Sequence, residues 1–243
     1  ASFLIPAVLM LILHQTLFFG ICMLGGTARE ENRQLFLLPG AKRSASVLRI
    51  TLGRSMAYFL IYMALGAIDL LLIPRIFNLP HIGNPIDIMK FYVPFILATI
   101  YFSMSVSVFI RNRESGMVLL ISSTLIFLFI AGVSWPQQML PKAWLYLSYI
   151  FPYTWGAHGF IHINSMGATL AQTSREYIAL WILAGSYFCI NCLLLFILGK
   201  IHDHKAAKGT LEMEEVDPVS QVSETEIHIA DPDPEDAAEL AYM

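Results

Sequence analysis

Charged residues are scarce in this sequence and are missing from five long blocks. Asp, Glu, Lys and Arg make up 14% of the chain, whereas soluble domains carry roughly 25%. The uncharged blocks are residues 1–28, 55–68, 91–110, 115–141 and 177–199. Each comes close to or exceeds the ~18–20 apolar residues that a helix needs to cross hydrocarbon. This pattern excludes a soluble globular protein, because too little polar surface remains to coat one, and it predicts an all-α membrane protein.

The blocks predict a polytopic helical bundle with five spans. We place the spans at residues 3–25, 56–74, 93–110, 115–133 and 177–199. Residues 143–174 also lack charge, but Pro152 would interrupt a helix there and polar residues are dispersed along the segment. We therefore expect short helices that dip into the outer leaflet or lie on it, in place of a sixth span. The tryptophans and tyrosines of this segment suit a membrane interface.

The basic residues set the predicted orientation, because cytoplasmic loops retain Lys and Arg. With the N-terminus outside, eleven of the fifteen Lys and Arg residues fall in the cytoplasmic segments 26–55, 111–114 and 200–243. We therefore predict an inner-membrane protein with a cytoplasmic C-terminus. The basic residues follow the topology, so nothing indicates a nucleic-acid partner; anionic lipid headgroups are the expected contacts.

A second part of the chain is acidic. Residues 209–243 hold eleven carboxylates and no Lys or Arg. Such a composition predicts a disordered cytoplasmic tail, attached to a membrane domain of residues 1–208. One interpretation of the tail is a recruiting surface, which would make the protein a membrane scaffold that does not transport.

Residue types that carry catalysis or bind metals are few. The three cysteines lie within apolar blocks and are interpreted as packing residues. His158 and His162 have helical spacing, but no carboxylate or cysteine is close in sequence to complete a zinc site. No phosphate-binding Gly-x-x-x-x-Gly-Lys motif occurs. An enzyme is therefore not predicted, nor a directly bound cofactor or metal.

Two polar residues inside the spans are candidates for a translocation path. Asp69 is the only acidic residue within a span, and intramembrane charges are often functional. It lies close enough to the outer end to reach the interface or pair with Arg75 instead. His14 lies in the middle of the first span, where it would face a dimer cavity or hydrogen-bond across helices.

Two segments resemble the ABC-2 permease family. Residues 25–35 read Gly-Gly-Thr-Ala-Arg-Glu-Glu-Asn-Arg-Gln-Leu, followed by Leu38-Pro39 and by Gly53-Arg54 at the start of the second span. This is similar to the Arg-Glu-rich cytoplasmic helix of the family. The second segment contains Pro136, Met139-Leu140-Pro141, Phe151-Pro152 and Gly159. It resembles the helical hairpin that family members have between their last two spans.

The resemblance implies a permease of six spans, of which this chain would hold the second to the sixth. It implies a homodimer or heterodimer of permeases that engages a nucleotide-binding ATPase subunit, so that ATP would act through the partner. The coupling helix would lie at residues 28–38, after the first span, with contacts made by Arg29, Glu30, Glu31, Arg33, Leu35 and Phe36. The hairpin would cap the path as a gate that includes Pro136, Met139, Pro141, Trp144 and Pro152. The alternatives are a solvated juxtamembrane helix for the first segment and a plain interfacial connector for the second.

Overall fold

The computed structural model describes residues 4–30, 44–77, 82–110, 112–132 and 141–215, and these ranges contain helices without strands. In chain order the helices are α1 Leu4–Glu30, α2 Ser44–Ala67, α3 Ile73–Ile76, α4 Pro85–Ser107, α5 Arg113–Ile130, α6 Lys142–Ser148, α7 Pro152–Met166 and α8 Ser174–Glu215. A π-helical turn, Ile68–Leu72, joins α2 directly to α3. The predicted helical membrane architecture is therefore confirmed for the described residues.

Four helical segments of the described chain are long and apolar enough to span a membrane. They are Leu4–Glu30, Leu48–Ile76, Pro85–Ser107 and Ser174–Leu198. The remaining predicted span, 115–133, corresponds to α5, which has 18 residues. At 1.5 Å per residue α5 is about 27 Å long, just below the ~30 Å thickness of bilayer hydrocarbon. The five-span count therefore stays a prediction.

Several helices extend beyond the predicted spans. Helix α4 begins at Pro85, eight residues before the predicted span, because the Asn84 side chain accepts a hydrogen bond from the Ile86 amide and Pro85 occupies the first turn. Helix α2 begins at Ser44, well before residue 56, and α1 continues to Glu30 instead of ending at residue 25. Helix α8 continues to Glu215, past residue 209 where the acidic segment begins, and Leu211, Met213 and Glu214 are good helix formers.

Burial places α1 and α4 at the centre of the membrane unit, which comprises residues 1–197. Within their spanning windows 61% of α1 and 78% of α4 is buried, against 11% of α2 and 22% of α8. Helices α1, α2 and α7 all contact α4. Helices α2 and α8 therefore present most of their surface outward, where apolar side chains suit lipid.

The crossing of α1 and α4 depends on small residues. A Cβ on Gly25 would lie 3.1 Å from Cβ of Ser107, and the Cys22 thiol lies 4.0 Å from the Ser103 carbonyl oxygen. Small side chains let two helix backbones approach closely, and dispersion forces then hold them together in lipid. The interpretation of Cys22 as a packing residue agrees with this contact, and Ser103 and Ser107 pack at the same crossing.

A single tyrosine fixes the C-terminal half of α2 against α4. The Tyr92 hydroxyl donates a hydrogen bond of 2.9 Å to the Tyr62 carbonyl oxygen, and a Cβ on Gly66 would overlap the Tyr92 ring. The tyrosine therefore needs a glycine opposite its ring. The π-helical turn begins at Ile68, two residues later.

We expect Gly66→Ala to lower the free energy of unfolding by about 1–3 kcal/mol, the usual range for overpacking a tight contact. Gly53→Ala is the matched control in the same helix, because no atom lies within 4 Å of a Cβ at that position. It should raise the free energy of unfolding by up to about 1 kcal/mol through helix propensity. Denaturant titration of the detergent-solubilised protein measures both, and equal effects at the two glycines would contradict the Tyr92 contact.

Candidate functional site

The segment between α5 and α8 enters the bundle as a re-entrant hairpin. Its tip, between α6 and α7, places Phe151 against Phe127 with ring centroids 4.9 Å apart and against Phe102 at 5.9 Å. Helix α7 then ends beside the loop that precedes α4, where the Ile82 amide donates to the Asn164 carbonyl oxygen at 3.0 Å. These contacts pack the tip and α7 against the bundle, while the position of the short helices relative to the membrane stays a prediction.

Side chains satisfy the carbonyl groups at the tip of this hairpin. The Trp155 indole donates to the Tyr149 carbonyl oxygen at 2.9 Å, and the Tyr187 hydroxyl donates to the Ile150 carbonyl oxygen at 2.8 Å. The Phe151 amide donates to the Ser148 carbonyl oxygen at 3.1 Å. Non-helical backbone is tolerated at membrane depth only where such partners exist. Trp155 therefore anchors the tip, in addition to the interfacial role expected from its sequence position.

Two glycines seat α7 on α4. A Cβ on Gly156 would overlap the Phe95 ring, and a Cβ on Gly159 would overlap the Phe91 ring. The two glycines are three residues apart, so they share one helix face. The sequence signal for this contact is the Gly-x-x-Gly spacing of Gly156 and Gly159.

Individual residues define where α7 begins and where it ends. Pro152 occupies its first turn, where a missing amide hydrogen is harmless. Gly167 ends the helix with φ of 67°, a conformation that favours glycine. A Cβ on Gly83 would lie 2.6 Å from the Ile163 carbonyl oxygen, so the loop before α4 also needs a glycine to reach α7.

The two histidines of α7 contact different elements. His158 Nε2 lies 2.7 Å from the Ala131 carbonyl oxygen at the end of α5, and it must carry the proton because a carbonyl only accepts. His162 Nδ1 lies 3.8 Å from a Glu176 carboxylate oxygen at the start of α8. Burial lowers the pKa of His158 below its ordinary value near 6.5, against the opposing effects of Ala131 and Glu176. The histidines thus tie α7 to both flanking helices.

This burial predicts a pH dependence of stability. As pH falls below about 6.5 the unfolded chain takes up a proton at His158 before the folded chain does, so the free energy of unfolding falls with it. His158→Gln retains a donor for Ala131 without titrating and should remove this component. His162→Gln is the control and should keep most of the His158 component, because burial, and not the neighbouring His162, is its largest cause. Unfolding measured between pH 5 and 8 tests this, and an unchanged profile in His158→Gln would contradict it.

His14 lies fully buried in the middle of the protomer, inside a cage of aromatic rings. The rings come from four helices and lie within 5.0–6.4 Å of the imidazole centroid; they are Phe18, Phe95, Phe102, Phe127 and Tyr153. Neither ring nitrogen has a hydrogen-bond partner. Among the described residues His14 therefore forms no hydrogen bond across helices, and its place in a translocation path stays a prediction.

An unpaired imidazole in such a cage opposes stability. An unsatisfied buried polar group costs about 1–3 kcal/mol, so His14→Leu, which is close in size, should raise the free energy of unfolding. Gln15→Leu is the control, because the Gln15 amide lies 3.4 Å from the Ser123 hydroxyl, and losing that contact should give no gain. Unfolding of both variants in the same detergent measures the difference. A destabilised His14→Leu protein would show that the imidazole is satisfied in the folded state.

Asp69 occupies the π-helical turn after α2. Its Oδ2 atom is buried and has no hydrogen-bond partner, and the expected ion pair with Arg75 is not seen among the described residues. No contact between Asp69 and His14 occurs in the described part of the chain, so the structure does not assemble the two path candidates into one site.

Arg29 and Glu30 are the last residues of α1, so residues 28–30 continue the span instead of beginning a separate helix. The Arg29 guanidinium donates hydrogen bonds to the carbonyl oxygens of Val108 and Ile110, the latter at 2.8 Å. Carbonyl groups at a helix end lack intrahelical partners and favour a cation. Arg29 thereby joins the end of α1 to the end of α4, which its sequence context did not reveal.

Some of the remaining predicted site residues lie within the described ranges, and others lie outside them. Pro141 immediately precedes α6, Trp144 on α6 is 51% exposed, and Pro152 begins α7. The predicted residues outside the described ranges are Glu31, Arg33, Leu35, Phe36, Pro136 and Met139.

Comparison with known proteins gives one finding. The family model described as "ABC-2 family transporter protein" matches residues 1–193. The matched range contains α1 to α7 and most of the apolar part of α8. Neither a comparison with curated proteins nor one with solved structures gives a match.

Proposed function

This chain belongs to the ABC-2 family of transporter proteins, and on that premise we propose that it is the permease subunit of an ATP-driven exporter. A separate nucleotide-binding ATPase would supply the energy, and two permeases would form the transport unit. The protein would lie in the inner membrane with its first residues outside and its C-terminus in the cytoplasm. The observation that carries the proposal is the match over residues 1–193, because it contains both segments on which the sequence resemblance rests.

Helix α1 is suited to pass motion from the cytoplasmic face into the bundle. It is one continuous helix of 27 residues, about 40 Å long. Its cytoplasmic end is held to α4 by Arg29, and its middle holds His14 inside the aromatic cage. A displacement of the coupling segment that follows α1 would therefore move α1 and the end of α4 together.

The hairpin is suited to respond to that motion. The Tyr153 hydroxyl lies 3.3 Å from the Ala7 carbonyl oxygen of α1, and the Tyr153 and His14 rings are 5.9 Å apart. Helix α7 also contacts α4 through its glycine face. We propose that the hairpin is the outer gate and that α1 connects it to the coupling segment. An amphiphilic or hydrophobic cargo suits the apolar interior.

A charge exchange in the coupling segment tests this function. Glu31→Arg combined with Arg33→Glu should reduce both co-purification of a Walker-motif ATPase and ATP-dependent transport by at least tenfold, because reversed charges lose register with the partner. The unfolding midpoint should stay that of the wild type. Pull-down of the full-length protein in mild detergent, with mass spectrometry of the bound proteins, supplies the first measurement.

The control is Arg29→Gln, which leaves Glu31 and Arg33 intact but removes the contacts with Val108 and Ile110. It should lower the unfolding midpoint, and this separates a structural loss from an uncoupled transporter. If no ATPase co-purifies with folded wild-type protein, or if the charge exchange leaves transport unchanged, the permease proposal fails. Loss of a partner only on deletion of residues 216–243 would favour the scaffold instead.

A further inference from the structure

The surface between α2 and α4 contains a groove that no part of the proposed transport mechanism uses. Its volume is about 780 Å³, within the roughly 300–1,000 Å³ range of ligand pockets. It runs from Arg49 to Phe59 along α2 and is floored by Leu97 and Tyr101 of α4. Ten residues of helix correspond to about 15 Å, half the ~30 Å of bilayer hydrocarbon. The groove therefore has the depth of one leaflet.

The chemistry of the groove changes along its length. Among the described lining residues Arg49 is the charged one, and it lies near the start of α2, on the side of the membrane where α1 ends. The Tyr101 hydroxyl lies 3.4 Å from the Ser55 hydroxyl on the floor. Beyond them the walls are apolar and include Met56, which is 59% exposed. The groove thus presents a cation at its mouth, then hydroxyl groups, then an apolar channel. A phospholipid has the matching order of headgroup, ester and acyl chain.

The position of the groove on the outward face of α2 determines which kind of ligand can reach it. Only 11% of the α2 spanning window is buried, so this face of the described structure is open to the bilayer. An empty apolar groove loses dispersion contacts on one side, and an acyl chain from the surrounding leaflet restores them. Gly53 widens the opening, because no atom lies within 4 Å of a Cβ there. In a zwitterionic headgroup the ammonium opposes the attraction of the phosphate to Arg49, whereas a headgroup with net negative charge gains about 1 kcal/mol.

We propose that the Arg49 groove is a binding site for one anionic phospholipid taken from the leaflet on the Arg49 side. The site requires only that the protein is embedded in a bilayer. It is independent of ATP-driven export, and its test measures bound lipid without measuring transport.

The test is native mass spectrometry of the full-length protein, purified from nanodiscs that contain equal amounts of phosphatidylglycerol and phosphatidylcholine. Wild type should retain one phosphatidylglycerol preferentially. Arg49→Gln should reduce this preference about fivefold, the equivalent of one basic contact, and Arg49→Lys should keep it. Arg54→Gln is the matched control, because Arg54 is on the same helix but does not line the groove.

A second variant blocks the groove without disturbing the fold. Gly53→Leu fills open space, so it should reduce retention of the lipid at least fivefold while leaving the unfolding midpoint at or above the wild-type value. Gly185→Leu on α8 is its control, since a side chain there also meets open space. Equal retention of the two phospholipids by wild type would overturn the proposal. So would equal effects of Arg49→Gln and Arg54→Gln, or a groove adduct that is not a phospholipid.

Discussion

Carbonyl groups at a helix end lack partners within the helix, and the hairpin depends on supplying them with donors. Its tip leaves the helical conformation at Tyr149 and Ile150, between α6 and α7. Trp155 and Tyr187 supply the two missing donors. Because one donor comes from α7 and the other from α8, the tip is anchored both to its own hairpin and to the following span. The contacts of Phe151 with Phe102 and Phe127 then follow from where the tip is held.

His14 contrasts with His158 and His162. The latter two each have a polar partner, while both nitrogens of His14 are enclosed by rings. The rings come from α1, α4, α5 and α7, which are the central helices and the gate proposed above. An unsatisfied buried polar group raises the free energy of the arrangement that encloses it. His14 therefore lowers the stability of this arrangement at the place where α7 meets α1.

The sequence predicted the membrane spans because exclusion of charge is a property of each residue by itself. It missed contacts that join distant residues. Arg29 was interpreted as a coupling residue because it stands in an Arg-Glu segment, while its partners Val108 and Ile110 are about eighty residues away. The rings around His14 come from four helices, so no pattern within one segment of the sequence predicts them. The observed helix boundaries differ from the predicted ones for local reasons. The Asn84 cap makes α4 begin earlier than predicted, and residues of high helix propensity extend α8 into the acidic segment.

The coupling residues show why a structural role must be separated from a functional one before a motif is assigned. Arg29 and Arg33 belong to the same sequence motif, but the described contacts of Arg29 are with the end of α4. A variant at Arg29 would lose transport through unfolding of the α1–α4 junction even if no ATPase touched it. The same junction would also carry a push from an ATPase to α4, since the guanidinium bridges the two helices. The motif is therefore best understood as two adjacent parts: Arg29 joins α1 to α4, and the segment beyond Glu30 is where a partner would act on both.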